Sequence, residues 1–144
     1  MPATQLAQEL EGTSKTVLVL DDETDVRKLV SAILTSNGYT VMTAGDGESA
    51  IKAFQKSKQK IDLLLLDVVS PGLCGPMVAD RIAELQPAIR VLFMSGYENT
   101  KVIRHYVVDQ GLALLSKPFT AEQLLQKVRE VLQSTPALAA AHAG

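Results

Sequence analysis

Five polar residues stand out because each follows a short apolar run within two positions. Asp21 and Asp22 follow the first run, Asp67 follows the third, Ser95 the fourth and Lys117 the fifth. Carboxylates that lie a few ångströms apart repel one another, and a bound cation or a raised pKa relieves that repulsion. Three carboxylates, a hydroxyl and an ammonium group can together hold a hard divalent cation and an anionic phosphoryl group.

This set indicates metal-assisted transfer of a phosphoryl group onto a carboxylate. Mg²⁺, or Mn²⁺ with similar ligand preferences, takes oxygen ligands and typically binds one or two carboxylates together with a phosphate. The cation would screen Asp67 so that an anionic donor can approach, and Lys117 would add a second positive charge. A carboxylate can act as the nucleophile and form an acyl phosphate. Ser95 could donate a hydrogen bond to a phosphoryl oxygen.

The apolar runs themselves predict five β-strands. Four of them are continuous rather than alternating, as expected for strands buried on both faces. The second run is more polar, which suits a strand at the edge of a sheet. The runs cover residues 17–20, 41–42 with Ala44, 63–66, 91–94 and 112–115.

Between and after the runs, apolar residues recur with the 3.6-residue period of amphipathic helices. Five helices are predicted, and strands that alternate with helices imply right-handed crossovers and a parallel sheet covered on both faces. The carboxyl ends of such strands form the edge where ligands bind, and all five polar residues lie there. The signals that mark helix ends are Asn37-Gly38, Asp46-Gly47, Pro76, Gln110-Gly111 and Thr120.

The length, net charge and cysteine count of the chain exclude several classes of protein. The 144 residues suffice for one domain, and fourteen Lys and Arg against sixteen Asp and Glu give a formal net charge of −2. This balance argues against a nucleic-acid partner. Cys74 is the only cysteine, so no intrachain disulfide can form. No apolar run approaches the roughly 18 residues of a membrane span, and the start of the chain lacks the pattern of a signal peptide. We therefore expect a cytoplasmic protein with no membrane partner.

The predicted elements define one domain over residues 15–133. Residues 1–14 and the Ala-rich residues 134–144 lie outside the pattern of strands and helices, and we expect both to be mobile extensions.

Four segments carry a resemblance to a known family. VLVLDDE, LLLLDVVSPG, FMSGY and LSKPF are similar to the signature segments of response-regulator receiver domains from two-component signalling. Each segment is weak evidence alone, but four in the right order at predicted strand ends are specific. The closer resemblance is to receivers associated with hybrid sensor histidine kinases. It implies a flavodoxin-like (βα)5 doubly wound sheet with strand order 2-1-3-4-5.

The resemblance implies a role for each site residue. Asp67 would be the phosphoacceptor, phosphorylated by a sensor histidine kinase or a histidine phosphotransfer protein. Asp22 would bind Mg²⁺ directly, Asp21 would bind it through water, and the backbone carbonyl of Val69 would be a further ligand. Lys117 would bind phosphate.

The resemblance also implies a conformational switch. Ser95 matches the switch hydroxyl of the family, and the bond between Lys117 and Pro118 would be cis. Leu114 stands where many receivers carry an aromatic residue that moves inward on phosphorylation, so the usual aromatic readout is not expected. Ser70 replaces a common Met in the loop after the phosphoacceptor.

Val69 and Tyr97 occupy positions that influence the access of water to the acyl phosphate. Neither side chain orients water well, which predicts slow loss of phosphate.

Two alternatives remain open from the sequence. A domain that has lost the switch would be a phosphate-independent interaction module. The chain could also be a single-domain regulator or the receiver piece of a hybrid kinase. Because only eleven residues follow residue 133, we expect output through contact with an unknown protein target rather than turnover of a separate substrate. By resemblance, the fourth helix, fifth strand and last helix form the output face, and the first helix meets the kinase.

Overall fold

The computed structural model describes residues 15–70, 72–96 and 112–134. The fourth predicted helix, around residues 102–107, lies outside this part of the chain, as do residues 1–14 and 135–144. The described elements, in chain order, are β1 (Thr16–Leu20), α1 (Thr24–Ser36), β2 (Thr40–Ala44), α2 (Gly47–Lys56), β3 (Leu63–Asp67), α3 (Gly75–Leu85), β4 (Arg90–Ser95), β5 (Ala113–Ser116) and α4 (Ala121–Gln133).

The five strands form one parallel sheet in the order β2-β1-β3-β4-β5. The chain moves outward from β1 to β2 and then returns to place β3 on the other side of β1. Strand order therefore reverses between β1 and β3, and the crevice at this switch point is where doubly wound sheets bind ligands. The predicted fold and strand order are confirmed.

Two apolar layers pack on the two faces of the sheet. In β1, Leu18 and Leu20 belong to the layer that includes residues of α2 and α3, whereas Val17 and Val19 belong to the layer that includes residues of α1 and α4. All five residues of β1 and all five of β3 are buried. The continuous apolar runs thus reflect strands covered on both sides. β2 is partly exposed, as expected of an edge strand.

Local signals set the helix ends close to the strand ends. The Asp46 side chain accepts a hydrogen bond from the Ser49 N–H and caps α2. Thr120 and Gln123 form a reciprocal capping box at the start of α4. Gly38 adopts a φ of 91° just after α1, a conformation that glycine tolerates best. The predicted signals at Asn37-Gly38, Asp46-Gly47 and Thr120 are therefore in place, whereas Gln110-Gly111 lies outside the described residues.

The described chain ends at Ser134, which closes α4. Its N–H donates to the Val131 carbonyl, and its own carbonyl accepts a 3.0 Å hydrogen bond from the Arg90 Nε. Across the described ranges, no helix has the length and apolarity needed to cross a bilayer.

Candidate functional site

Strand register brings the predicted site residues to one edge of the sheet. Leu20 of β1 pairs with Leu66 of β3, so Asp21 and Asp67 follow on adjacent strands. On the other side of β3, Ser95 of β4 pairs with Ser116 of β5, and Lys117 follows directly. The site residues therefore collect at the carboxyl ends of the four strands β1, β3, β4 and β5.

The Lys117 ammonium group lies between two carboxylates. Its Nζ is 2.6 Å from Asp21 Oδ2 and 3.3 Å from Asp67 Oδ2. Asp21 is fully buried, and the Lys117 side chain is only 18% exposed. Charged groups removed from water in this way require a partner, so each stabilises the charge of the other.

The second oxygen of each carboxylate binds a backbone amide two residues further along the chain. Asp21 Oδ1 accepts a 2.9 Å hydrogen bond from the Glu23 N–H, and Asp67 Oδ1 accepts one of 3.2 Å from the Val69 N–H. Aspartate commonly forms such local turns. Both carboxylates are therefore oriented from two sides, with Oδ2 facing Lys117.

Burial and charge shift the pKa of two site residues. Burial raises the pKa of Asp67, and the nearby Asp21 charge adds to this rise; Lys117 opposes it, and the pKa lies at about 6. Burial lowers the pKa of Lys117, but the hydrogen bond to Asp21 and the charges of Asp67 and Asp21 outweigh it, so its pKa lies above the ordinary value. The Lys117 ammonium is thus charged at neutral pH. Its single positive charge does not fully compensate the burial of Asp67 beside Asp21, because the pKa of Asp67 remains raised.

A third acid completes a cluster that fits a divalent cation. One carboxylate oxygen from each of Asp21, Asp22 and Asp67 lies within 4.8 Å of the other two. Asp22 is exposed, so this side of the cluster is open to water. A hard-oxygen donor set with room for water suits Mg²⁺, which keeps several water ligands in protein sites.

Ser95 is buried at the end of β4, where its Oγ donates to the Gly96 carbonyl at 3.0 Å rather than to Asp67. The Ser95 carbonyl accepts a 2.8 Å hydrogen bond from the Lys117 N–H, which ties the two strand ends together. The peptide bond between Lys117 and Pro118 is cis, as the resemblance implied.

The three predicted modulators lie in different settings. Val69 is 49% exposed in the loop after Asp67. Leu114 of β5 is partly buried and packs against the apolar layer shared with α2 and α3. Tyr97 lies outside the described residues. In the loop after Asp67, which also contains Val69, the Ser70 Oγ donates to the Leu73 carbonyl at 2.6 Å and closes a turn.

Sequence reasoning missed two kinds of residue at this site. A Cβ on Gly75 would overlap the Asp67 carbonyl oxygen, so only glycine lets α3 begin this close to the loop that follows Asp67. Arg27 of α1 donates a 2.6 Å hydrogen bond to the Asp21 carbonyl. Neither residue belongs to an apolar run or an acidic motif. The available signal was position alone, because each lies within eight residues of a predicted site aspartate.

Comparison with known proteins identifies the family. Residues 17–129 match the family model for the response regulator receiver domain. The chain belongs to this family. The receiver domain is a phosphorylation-dependent signalling switch of two-component systems, and such domains do not typically turn over separate substrates.

The matched receiver proteins differ in length. The domain is 35% identical to the sensor kinase CckA of Brucella abortus over 127 residues, which are 88% of this chain and 13% of CckA. It is 28% identical to the response regulator receiver protein CpdR of the same organism, covering 82% of this chain and 97% of CpdR. With CckA included, the chain spans only 13% to 53% of the length of three of these curated relatives.

A solved structure matches the receiver domain closely. The receiver domain of NtrX from Brucella abortus superposes with a TM-score of 0.73 at 30% identity, covering 83% of this chain and 99% of that structure. The two domains therefore share one fold.

Proposed function

We propose that Asp67 accepts a phosphoryl group from the phosphohistidine of a sensor histidine kinase or a histidine phosphotransfer protein. The main supporting observation is the ammonium of Lys117, which bridges the buried carboxylates of Asp21 and Asp67 at the switch point of the sheet. Together with the exposed Asp22, these groups form a site for one cation and one phosphoryl group.

In the transfer step, an oxygen of Asp67 forms a bond to phosphorus while the bond between phosphorus and the donor imidazole nitrogen breaks. The electron pair of the broken bond stays on that nitrogen, and the product is an acyl phosphate on Asp67. Lys117 offsets the negative charge of the phosphoryl oxygens. The shorter contact to Asp21 anchors the ammonium, while the longer contact to Asp67 can be exchanged for a phosphoryl oxygen.

Three side chains would hold Mg²⁺, or Mn²⁺, in this site: Asp21, Asp22 and Asp67, with the Val69 carbonyl as the further ligand. When bound, the cation neutralises charge between the acids and the incoming phosphoryl group. The Val69 N–H donates to the Asp67 carboxylate, and this hydrogen bond keeps the backbone of Val69 next to the proposed phosphoacceptor.

The carboxylates and the lysine argue against a phosphate-independent interaction module. A buried Asp21–Lys117 ion pair is not needed for binding to a protein surface, whereas it suits the binding of a phosphoryl group. We expect the domain to catalyse only its own phosphorylation and dephosphorylation, and to signal by binding a protein target. The domain limits at residues 15 and 133 and the cytoplasmic location stay predictions.

The test uses acetyl phosphate and Mg²⁺, with intact-mass measurement of the whole chain. The wild type should gain one phosphoryl group, and Asp67→Asn should gain none. Asp25→Asn, an exposed acid on α1, is the matched control and should be labelled as the wild type is. Absence of labelling in the wild type, under conditions that label another receiver domain, would refute the proposed function.

A further inference from the structure

Arg27 lies where three elements meet next to the carboxylate cluster. Its Nη1 donates to the carbonyl of Asp21 at 2.6 Å, and its Nη2 donates to the Thr24 Oγ1 at 3.2 Å. Gly45, just after β2, makes room for the guanidinium, since a Cβ there would lie 3.1 Å from Nη1. The guanidinium is therefore seated between the end of β1, the start of α1 and the end of β2.

This contact completes the restraint on the Asp21 backbone. The Asp21 N–H donates to the Ala44 carbonyl at 3.2 Å, while the Asp21 carbonyl accepts from Arg27. The same carbonyl belongs to the peptide that leads into Asp22. Within residues 15–70, 72–96 and 112–134, no hydrogen bond or ion pair holds the Asp22 carboxylate. The direction of the Asp22 side chain therefore depends on this peptide.

The positive charge of Arg27 is electrostatically unfavourable at the place where the residue lies. Arg27 is the fourth residue of α1, and a cation near a helix N-terminus is unfavourable because of the helix dipole. A guanidinium beside the carboxylates also repels a second cation by Coulomb's law. Charge alone would thus weaken the binding of a divalent cation, whereas orientation of Asp21 and Asp22 would strengthen it. The two effects have opposite signs and can be separated.

We propose that Arg27 is a positioning residue that fixes the peptide between Asp21 and Asp22 so that both carboxylates can bind one divalent cation. The inference rests on the proposed function of the site. Residues that orient metal ligands through hydrogen bonds typically change metal affinity about 10- to 100-fold when removed.

The decisive measurement is the dissociation constant for Mg²⁺, determined by titration calorimetry on the full chain without a phosphodonor. Arg27→Ala should weaken Mg²⁺ binding about tenfold, although it removes a positive charge. Lys28→Ala is the matched control, because it removes one positive charge from an exposed position on the same helix. Lys28→Ala should leave binding unchanged or slightly tighter.

Two further variants distinguish positioning from a general loss of stability. In Gly45→Ala the new methyl group would lie 3.1 Å from Nη1, so the guanidinium would have to shift by a small distance, and Mg²⁺ binding should weaken less than in Arg27→Ala. Because both substitutions act through the same contact, the double variant should bind Mg²⁺ no more weakly than Arg27→Ala. Arg27→Lys keeps the charge but loses the two-pronged donor and should fall between wild type and Arg27→Ala.

The outcomes separate this inference from the proposed function. If Arg27→Ala and Lys28→Ala bind Mg²⁺ equally well while the wild type is labelled on Asp67, only the role of Arg27 is overturned. If the wild type binds no Mg²⁺ and is not labelled, both proposals fall. If Arg27→Ala does not fold, Arg27→Lys takes its place, and an affinity for Mg²⁺ equal to that of the wild type would overturn the inference.

Discussion

Asp21 and Asp67, on neighbouring strands, are held in the same way: in each, Oδ2 faces the Lys117 ammonium and Oδ1 accepts an N–H from two residues ahead. The two acids differ in the length of the lysine contact, which is 2.6 Å for Asp21 and 3.3 Å for Asp67. Asp21 is thus the closer partner of the lysine, and Asp67 is held more loosely by it, which suits the proposed role of Asp67 as the reacting acid.

Asp67→Asn should stabilise the domain at neutral pH in the absence of divalent cations. Burial raises the pKa of Asp67 from 3.8 to about 6, so the folded state binds this proton more tightly than the unfolded chain does. Stability from this group therefore falls as pH rises between those values, and the whole penalty is present at pH 7. The shift corresponds to at most about 3 kcal/mol.

Urea denaturation of wild type and Asp67→Asn, with a chelator present, checks this expectation. The advantage of the variant should be larger at pH 7 than at pH 5. Asp25→Asn should show no comparable gain. An Asp67→Asn variant less stable than wild type at pH 7 would contradict the assigned cause of the pKa shift.

Lys117→Met should destabilise the domain, because it leaves the fully buried Asp21 carboxylate without its cation. Breaking a buried ion pair from one side costs roughly 3 kcal/mol. The double variant Lys117→Met with Asp21→Asn removes the orphaned charge and should regain much of the lost stability, although it should not be phosphorylated. Denaturant midpoints of the single and double variants test this coupling, and equal midpoints would rule it out.

Asp22→Ala should abolish stabilisation by Mg²⁺ with little change in the metal-free domain. Asp22 is exposed, so its removal costs little packing, yet it supplies one of the three clustered oxygens. In the wild type, Mg²⁺ should raise the melting temperature, and this rise should shrink as pH falls through about 6, since protons compete for Asp67. Thermal melts with and without Mg²⁺ at pH 7.5 and 5.5 measure both effects.

Gly75→Ala should slow phosphorylation and destabilise the domain, because the added methyl group overlaps the Asp67 carbonyl. Overpacking of this kind typically costs about 1–3 kcal/mol. Gly72→Ala is an informative comparison: its φ of 76° makes alanine unfavourable, but nothing lies within 4 Å of the new methyl group. It should lose stability and keep most of its labelling rate. Similar labelling rates for the two variants would show that Gly75 has no special role.

Val69→Asn should shorten the lifetime of the acyl phosphate. Val69 is 49% exposed beside Asp67, and an amide there can orient an attacking water, which valine cannot do. The loss of the phosphoryl group after removal of acetyl phosphate can be followed by intact mass. Val69→Leu, which remains apolar, should keep the wild-type lifetime; a Val69→Asn lifetime equal to it would contradict the prediction.

The sheet could be predicted from sequence because its strands are covered on both faces. A run such as Leu63 to Leu66, short and set between segments of helical period, is typical of a strand buried inside a parallel sheet, and the polar residue that follows it is then expected at the sheet edge. Helix ends were predictable for a similar reason, since Thr120 and Asp46 satisfy backbone amides that the helix leaves free.

The contacts inside the site could not be predicted in the same way. Periodicity treats Arg27 as a solvated side chain, although it reaches back to the Asp21 carbonyl. The role of Gly75 depends on how closely α3 approaches β3, which is a property of the assembled layers. Ser95 was placed at the correct edge, yet the direction of its hydroxyl toward Gly96 is set by local geometry that residue type does not encode.

The short Asp21–Lys117 contact has a consequence for how the domain cycles. Under the proposed function, the Asp21–Lys117 pair does not include the acid that is modified, so we expect this cationic centre to stay preorganised when Asp67 gains or loses a phosphoryl group. The Ser95 hydroxyl, at a neighbouring strand end, donates to the Gly96 carbonyl, so it would have to rotate before it could bind a phosphoryl group on Asp67.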